Sequence, residues 1–375
     1  MQSVELTPFR IERWYERYEF TTELMLSSSD CESVAVSDLL ALEPDARERL
    51  DGLRLGYTEV PGSDELRAAI AMLYDRTTPD DVVSLAAAEE GIFVVEHAVL
   101  GPGAHAVVET PCYESALAVA RSTAADVDEW RRSYADGWEH DVEGLERLLR
   151  PDTRLVYVNT PHNPTGLQMA RPVLDRIVEL CAERDAVLFC DEVYRELEHD
   201  PADRLPAACD LYERAVSLGT VSKTYGLPGL RTGWIACRDV ALREAVVATK
   251  LYTTICSSAP SELLAALALR HRERLSDRNR ALVLENLALA DAFVAANPGL
   301  VDWARPTASP IGFPRLHVTD TQAFCERLAD EEGVLLLPGE VYDEPGHVRF
   351  GLGRLGAAEA FRRLAAFVER GLSFY

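Results

Sequence analysis

Only a lysine amine can form an imine with a carbonyl cofactor, and this 375-residue chain has two lysines among its 38 basic side chains, Lys223 and Lys250. Their surroundings differ. Lys223 follows the apolar run Ala215, Val216 and Leu218 and is followed by glycines, with Arg231 eight residues on. That is the composition of a buried strand ending in a site, the plain alternative being a lysine on a surface loop. Lys250 closes an Ala/Val/Arg run with helical composition, where a solvated helix-end lysine is the expectation. Two further residues stand in the same relation to an apolar run as Lys223 does. Asn163 and Asp191 each come just after a β-type stretch. As isolated features, Asp191 reads equally as a helix N-cap and Asn163-Pro-Thr-Gly as a turn.

The elements that must carry these residues alternate. Short β-branched runs at residues 106–108, 155–158, 186–189 and 215–218 are separated by amphipathic helix candidates such as residues 171–183. The pattern predicts an α/β fold, a mostly parallel sheet wrapped by helices. In such sheets ligands bind outside the carboxyl ends of the strands, where Asn163, Asp191 and Lys223 all fall. Residues 278–293 read as a long helix. After it come strand-like 311–316, a helix at 321–331, strands at 334–337 and 347–350, and a last helix from Ala357, a pattern that suits a smaller α+β domain. The expected division is an N-terminal arm at 1–50, with a helix candidate at 9–18, a large domain at 51–274 and a small one at 275–375.

The run Ser217-Leu-Gly-Thr-Val-Ser-Lys-Thr-Tyr-Gly-Leu-Pro-Gly-Leu-Arg231 resembles the cofactor-lysine segment of fold type I pyridoxal-phosphate enzymes, the class I/II aminotransferase superfamily. The rest of the chain supports the resemblance in order and spacing. Tyr57 with Gly62, Leu66 and Arg67 is similar to the family's Tyr-x-x-x-x-Gly-x-x-x-Leu-Arg segment. Pro111-Cys112-Tyr113, Asn159-Thr-Pro-His-Asn-Pro-Thr-Gly166, Asp191-Glu-Val-Tyr194 and Val348-Arg349-Phe350 follow. Each alone is weak; together, over residues 50–350, they are specific. The resemblance implies a seven-stranded-type sheet with helices on both faces and a homodimer sharing its active sites.

It also implies roles. Lys223 would carry pyridoxal 5'-phosphate, and Asp191 would pair with the protonated ring nitrogen and make the ring an electron sink. Asn163 and Tyr194 would donate to the phenolic oxygen, and Tyr113 would stack on the ring. Arg231, Thr220 and Ser222 would hold the phosphate, joined by Tyr57 from the neighbouring subunit. The family's remaining phosphate contact is a helix N-terminus bearing small hydroxyl residues. Here the stretch reads Ala87-Ala88-Glu89-Glu90; backbone amides can still bind the anion, but two carboxylates stand where serine or threonine is expected. Arg349 would grip the substrate α-carboxylate, with Asn163 beside it.

The chemistry implied is imine exchange with an amino acid and removal of its α-proton by the freed Lys223, completed as transamination to a 2-oxo acid. The same electron sink also serves elimination, β- or γ-replacement, cyclisation or reaction with oxygen. The run Ser27-Ser-Ser-Asp-Cys-Glu32 and the segment at 252–258 resemble a biosynthetic branch of capreomycidine-synthase-like enzymes. A non-catalytic regulator of this fold would need an appended basic DNA-binding domain, for which the chain has no segment. Substrate charge is read from Glu23, Asp30 and Glu32 of the arm, and from the absence of any basic residue in 251–260. Carboxylates in a partly dry pocket favour a cation, so Asp30 and its neighbours point to a neutral or cationic substrate side chain.

Composition bounds the rest. With 47% apolar and 27% charged residues the chain should bury a large core. A formal charge of -24 disfavours nucleic acid and anionic membrane as partners. The eight cysteines are dispersed, without metal-ligand spacing, so no metal site is expected and reduced thiols in a cytoplasmic protein are the simplest account. Glu5 within the first ten residues argues against a signal peptide, and no apolar run approaches the roughly 18 residues of a membrane span.

Overall fold

The computed structural model describes residues 6–124 and 126–371; the first five residues, Glu5 among them, lie outside the described residues. Seven strands form one sheet: β1 Val82–Leu85, β2 His105–Thr110, β3 Asp126–Arg131, β4 Thr153–Asn159, β5 Val187–Asp191, β6 Ala215–Thr220 and β7 Gly233–Ala236. Their order is β1-β7-β6-β5-β4-β2-β3. Only β7 runs against its neighbours, and every other pair is parallel. Strands β2, β4, β5 and β6 are the four apolar runs of the sequence. The other three escaped because β1 and β7 are four residues long and β3 is an edge strand with charged side chains at most positions, the protection edges commonly carry.

Alternation along the strands builds the core. Leu155 and Tyr157 of β4 and Val187 and Phe189 of β5 enter one apolar layer, while Val156, Val158, Leu188 and Cys190 enter the layer on the other face. Both faces are covered, hence the continuous apolar runs. Helix α2, Ala87–Val99, starts directly after β1. Its first residue adopts a left-handed φ of 69°, and the helix start lies hard against β7: a Cβ on Gly233 would sit 2.6 Å from the Ala87 carbonyl carbon. Only glycine permits that approach.

The C-terminal elements form a separate apolar cluster with the arm. The long helix spans Arg272–Ala296, longer than the expected 278–293 at both ends. The expected strand 311–316 divides into Ile311–Gly312 and Arg315–Leu316, because Pro314 between them has no N–H to continue a ladder. The expected strand 334–337 also divides: Val334–Leu335 pairs in parallel with Leu24–Met25 of the arm, and Leu337–Pro338 pairs with Val348–Gly351. Helix α1, Arg10–Tyr18, buries Ile11, Trp14 and Tyr18 in this cluster and donates from Trp14 Nε1 to the Leu336 carbonyl, 3.0 Å.

Lys250 corrects the sequence reading. It does end a helix, Val240–Lys250, but is fully buried; its ammonium donates to Thr254 Oγ1 (3.0 Å) and the Ile255 carbonyl (3.3 Å) of a chain that turns back over the helix end. None of the eight cysteines is in a disulfide. Among the described residues no helix is long and apolar enough to cross a membrane and no group of side chains could hold a metal ion.

Candidate active site

The parallel strands β4, β5 and β6 end side by side, Asn159 level with Asp191 and Asp191 with Leu218. The turns that follow them therefore open on one place. There Asn163, Asp191, Tyr194, Thr220, Ser222, Lys223 and Arg231 line a single cavity together with Tyr113 from the end of β2 and Ala88 and Glu89 from the start of α2. Its free volume is about 140 Å³. A second cavity continues it outward under α1, sharing Ser29, Glu89, Tyr113, Lys223 and Arg231 and adding Asp30 and Arg349.

Asp191 stands at the floor. Its Oδ2 accepts from the Tyr157 hydroxyl (3.0 Å) and its Oδ1 from the Val193 amide (3.1 Å). Burial nevertheless pushes the carboxyl up to about 6, these hydrogen bonds and the charge of Lys223 only partly opposing it. The site thus holds a carboxylate that gains from an adjacent cation. Lys223 Nζ donates to Ser29 Oγ, 2.8 Å. Burial and the neighbouring Arg349 draw its amine below the ordinary lysine value, against the opposing charges of Asp30, Glu12 and Asp191. An amine so placed is available as nucleophile and base. Burial raises Tyr194, which leaves its hydroxyl a proton donor at any physiological pH.

Donors gather in the same cavity. Thr220 Oγ1 donates to the Thr232 carbonyl (2.8 Å) and contacts Ser222 Oγ (3.0 Å). Arg231, with φ of 49°, donates from one Nη1 bond to the Pro228 carbonyl (3.0 Å) and turns its guanidinium to both cavities. The α2 amides at Ala87 and Ala88 complete this set. Glu89 accepts from Ser115 Oγ (3.1 Å), and burial lifts its carboxyl to about 7.

Two expectations need revision. Glu90 does not line the cavity. One step along a helix rotates a side chain by about 100°, so Glu90 turns away to accept from the Ala86 amide and from the Thr253 and Thr254 hydroxyls. Tyr57, expected to serve the neighbouring subunit's site, is 95% exposed and borders a surface hollow with Leu55, Thr254 and Cys256. The substrate-charge argument rested on acids that are already engaged. Asp30 lines the outer cavity but is held by Arg354 through two bonds, 3.0 and 2.7 Å, Glu23 pairs with Arg363, and Glu32 accepts from the Leu355 amide. Glu89 apart, the carboxylates that face the outer cavity without such pairing are Glu12 of α1 and Glu19, the residue that caps it. Glu12 accepts from the Tyr113 hydroxyl at 2.7 Å, and Glu19 follows about two turns further on, its carboxyl raised by burial and then by Asp30 and Glu12. Ser29, Tyr15, Tyr157 and Tyr342 are further site residues that sequence reasoning passed over. Only Ser29 fell in a segment singled out for its polarity.

A model of the family described as "Aminotransferase class I and II" matches residues 22–366. The chain is 32% identical to capreomycidine synthase of Streptomyces vinaceus, covering 96% of this chain and 92% of that protein. It is 30% identical to arginine–pyruvate transaminase AruH of Pseudomonas aeruginosa, covering 89% and 88%. A PLP-dependent aminotransferase from Streptococcus suis superposes with a TM-score of 0.92 at 30% identity over 98% of both chains. The PLP-dependent cyclase OrfR superposes with 0.88 at 29% identity, again over 98% of both.

Proposed function

We propose that this chain, which belongs to the class I and II aminotransferase family and is a pyridoxal 5'-phosphate enzyme, transfers the amino group of an amino acid with a cationic side chain, leaving a 2-oxo acid. The observation that carries the reading is the joining of two spaces at Lys223: an inner cavity lined by the Asp191 carboxylate and by anion donors, and an outer one lined by Arg349 and by the carboxylates Glu12 and Glu19. The residues fit the cofactor. Asp191 would face its ring nitrogen, Asn163 and Tyr194 its phenolic oxygen, and Tyr113 its ring face. Thr220, Ser222, Arg231 and the α2 amides would take the phosphate, and Glu89, its carboxyl raised by burial to about 7 and so about half protonated at pH 7, repels it less than an ordinary carboxylate would. When bound, the cofactor supplies an electron sink for a carbanion at the substrate α-carbon.

Everything else is the protein's work. Arg349 orients the substrate by its α-carboxylate. Lys223 Nζ takes the α-proton, its lowered proton affinity keeping it free to do so. The arm, latched by Trp14, covers the site and excludes water. Glu12 and Glu19 would face the end of the side chain, in keeping with the name of the second relative above, an arginine transaminase. Homodimer formation belongs to this reading, supported by the exposure of Leu55 and Tyr57 around one surface hollow and of Tyr252 and Ile255 in the segment that borders it. Light scattering is expected to show a two-chain particle; a single-chain particle at working concentration would refute a shared site. The three-part division of the chain is part of it too, supported by the confinement of the seven strands to residues 82–236 and the start of the C-terminal cluster at helix Arg272–Ala296.

A second reading rests on the similarity to capreomycidine synthase and to a cyclase along nearly the whole chain. In it the same α-proton removal is followed by loss of a β-substituent and closure by a side-chain nitrogen. One experiment separates the two. Holoenzyme is given arginine, a β-hydroxylated basic amino acid, methionine or aspartate, each with and without pyruvate, and product masses are recorded. Aminotransfer predicts alanine formation from arginine and pyruvate, with kcat/KM at least about tenfold above that for aspartate, the equivalent of one modest ion pair. Cyclisation predicts loss of water from the β-hydroxylated substrate with no use of pyruvate. Aspartate as the fastest substrate would end the cationic reading.

A further inference from the structure

Arg349 and Asn163, assigned to the two ends of substrate recognition, meet through a third side chain. Tyr342, closing the short turn Gly339–Tyr342, lies with its hydroxyl 2.5 Å from Arg349 Nη1 and 3.1 Å from Asn163 Oδ1, and Arg349 Nη1 also reaches that same Oδ1 at 3.2 Å. All three side chains are buried, at 1%, 5% and 5% exposure for Arg349, Asn163 and Tyr342.

The directions of these bonds follow from the donor inventory. A guanidinium can only donate, so the phenolic oxygen accepts from Arg349 and must send its own proton to Asn163. The amide oxygen then receives two donors. Asn163 is locked with Oδ1 toward Arg349, and Nδ2, its only side-chain donor, is left for the cavity. Burial holds the Tyr342 hydroxyl up to about 12, so this proton stays in place across the working range. Arg349 is itself held in plane: Nε donates to the Ser27 carbonyl (3.0 Å) and Nη2 to the Tyr15 hydroxyl (2.7 Å).

We propose that Tyr342 is a positioning residue that couples the carboxylate end of the site to its cofactor end, its one hydroxyl setting both the plane of the Arg349 fork and the orientation of the Asn163 amide. The inference rests on the roles proposed above for Arg349 and Asn163. Asn163 Nδ2, when donating to the ring oxygen of the cofactor, lowers the basicity of the lysine imine; a freely turning amide does so less.

Tyr342→Phe in the holoenzyme removes only the hydroxyl. Two readouts are expected to move together. The dissociation constant for a substrate-like α-methyl amino acid, which cannot lose an α-proton, should rise about tenfold, the cost of a hydrogen bond to a charged group. The midpoint of the absorbance-pH titration of the resting holoenzyme should rise by about half a unit or more, a change that mere loss of packing would not produce. Tyr342→His, which keeps a hydrogen-bonding edge, should fall between wild type and Phe, and it substitutes for the Phe variant if that one loses its cofactor. An unchanged constant with superimposable titrations overturns the coupling. Arg349→Gln distinguishes the deeper failure: if it too leaves the constant unchanged, the carboxylate grip is wrong and the coupling falls with it.

Discussion

Lys223→Arg is expected to give a folded protein that has lost turnover by at least about a thousandfold, because the substitution removes both the imine-forming amine and the base that moves the α-proton. Arginine preserves the positive charge, so that loss cannot be assigned to electrostatics. The complementary measurement is chemical. Borohydride reduction of the wild-type holoenzyme followed by peptide mass analysis should place the pyridoxyl group on the peptide containing Lys223. The only competitor is Lys250, and its amine is fully buried and donates to Thr254 and Ile255. A label on Lys250, or Lys223→Arg retaining more than a few percent of activity, would discard the assignment.

The second large effect is expected at Asp191. Asp191→Asn keeps the shape and can keep the bond from the Val193 amide with its one oxygen, while its NH2 group must donate to the Tyr157 hydroxyl rather than accept from it; it cannot stabilise a proton on the ring nitrogen, so kcat should fall by about 10²- to 10³-fold while covalent attachment to Lys223 persists. The pH behaviour of the wild type supplies an independent check. Burial raises the folded carboxyl from its ordinary value to about 6, so the ionised form is the disfavoured one. Its penalty to the cofactor-free fold is absent at low pH, grows as pH rises through the range between the unfolded value and about 6, and is full above it. A protonated ring nitrogen beside the carboxylate offsets that penalty. Cofactor affinity, measured by titrating cofactor-free protein, should therefore be level above about pH 6 and weaken as pH falls below it. In Asp191→Asn that inflection should vanish; an unaltered curve would mean that Asp191 does not face the ring nitrogen.

Neither effect depends on distant pairing, and for that reason both residues are legible in the sequence. Asn163, Asp191 and Lys223 are spaced by about one strand-helix-strand unit, and parallel strands joined by right-handed crossovers bring their carboxyl ends to one edge almost without alternative. The apolar runs of β4, β5 and β6 reveal those strands because both faces of the sheet are buried. The charged edge strand β3 and the four-residue β1 and β7 leave no comparable trace.

The sheet, the order of its chemistry-bearing turns and the lysine that ends one of them all follow from the chain's own letters, since each depends on periodicity and turn chemistry within a few tens of residues. Which charges remain available is a matter of packing in space. Asp30 is claimed by Arg354 and Glu23 by Arg363, partners more than three hundred residues away, and Lys250 is buried by a chain that doubles back over its helix. Tyr342 joins Arg349 to Asn163 across 179 residues of chain. An ionic or hydrogen-bonded pair is set by distance in space, and burial by what the rest of the chain packs on top. No local pattern carries either quantity, so acids that look free in the sequence are engaged in the fold, and two of the carboxylates that face the outer cavity, Glu12 and Glu19, sit on and just after a helix whose sequence reads only as aromatic and charged.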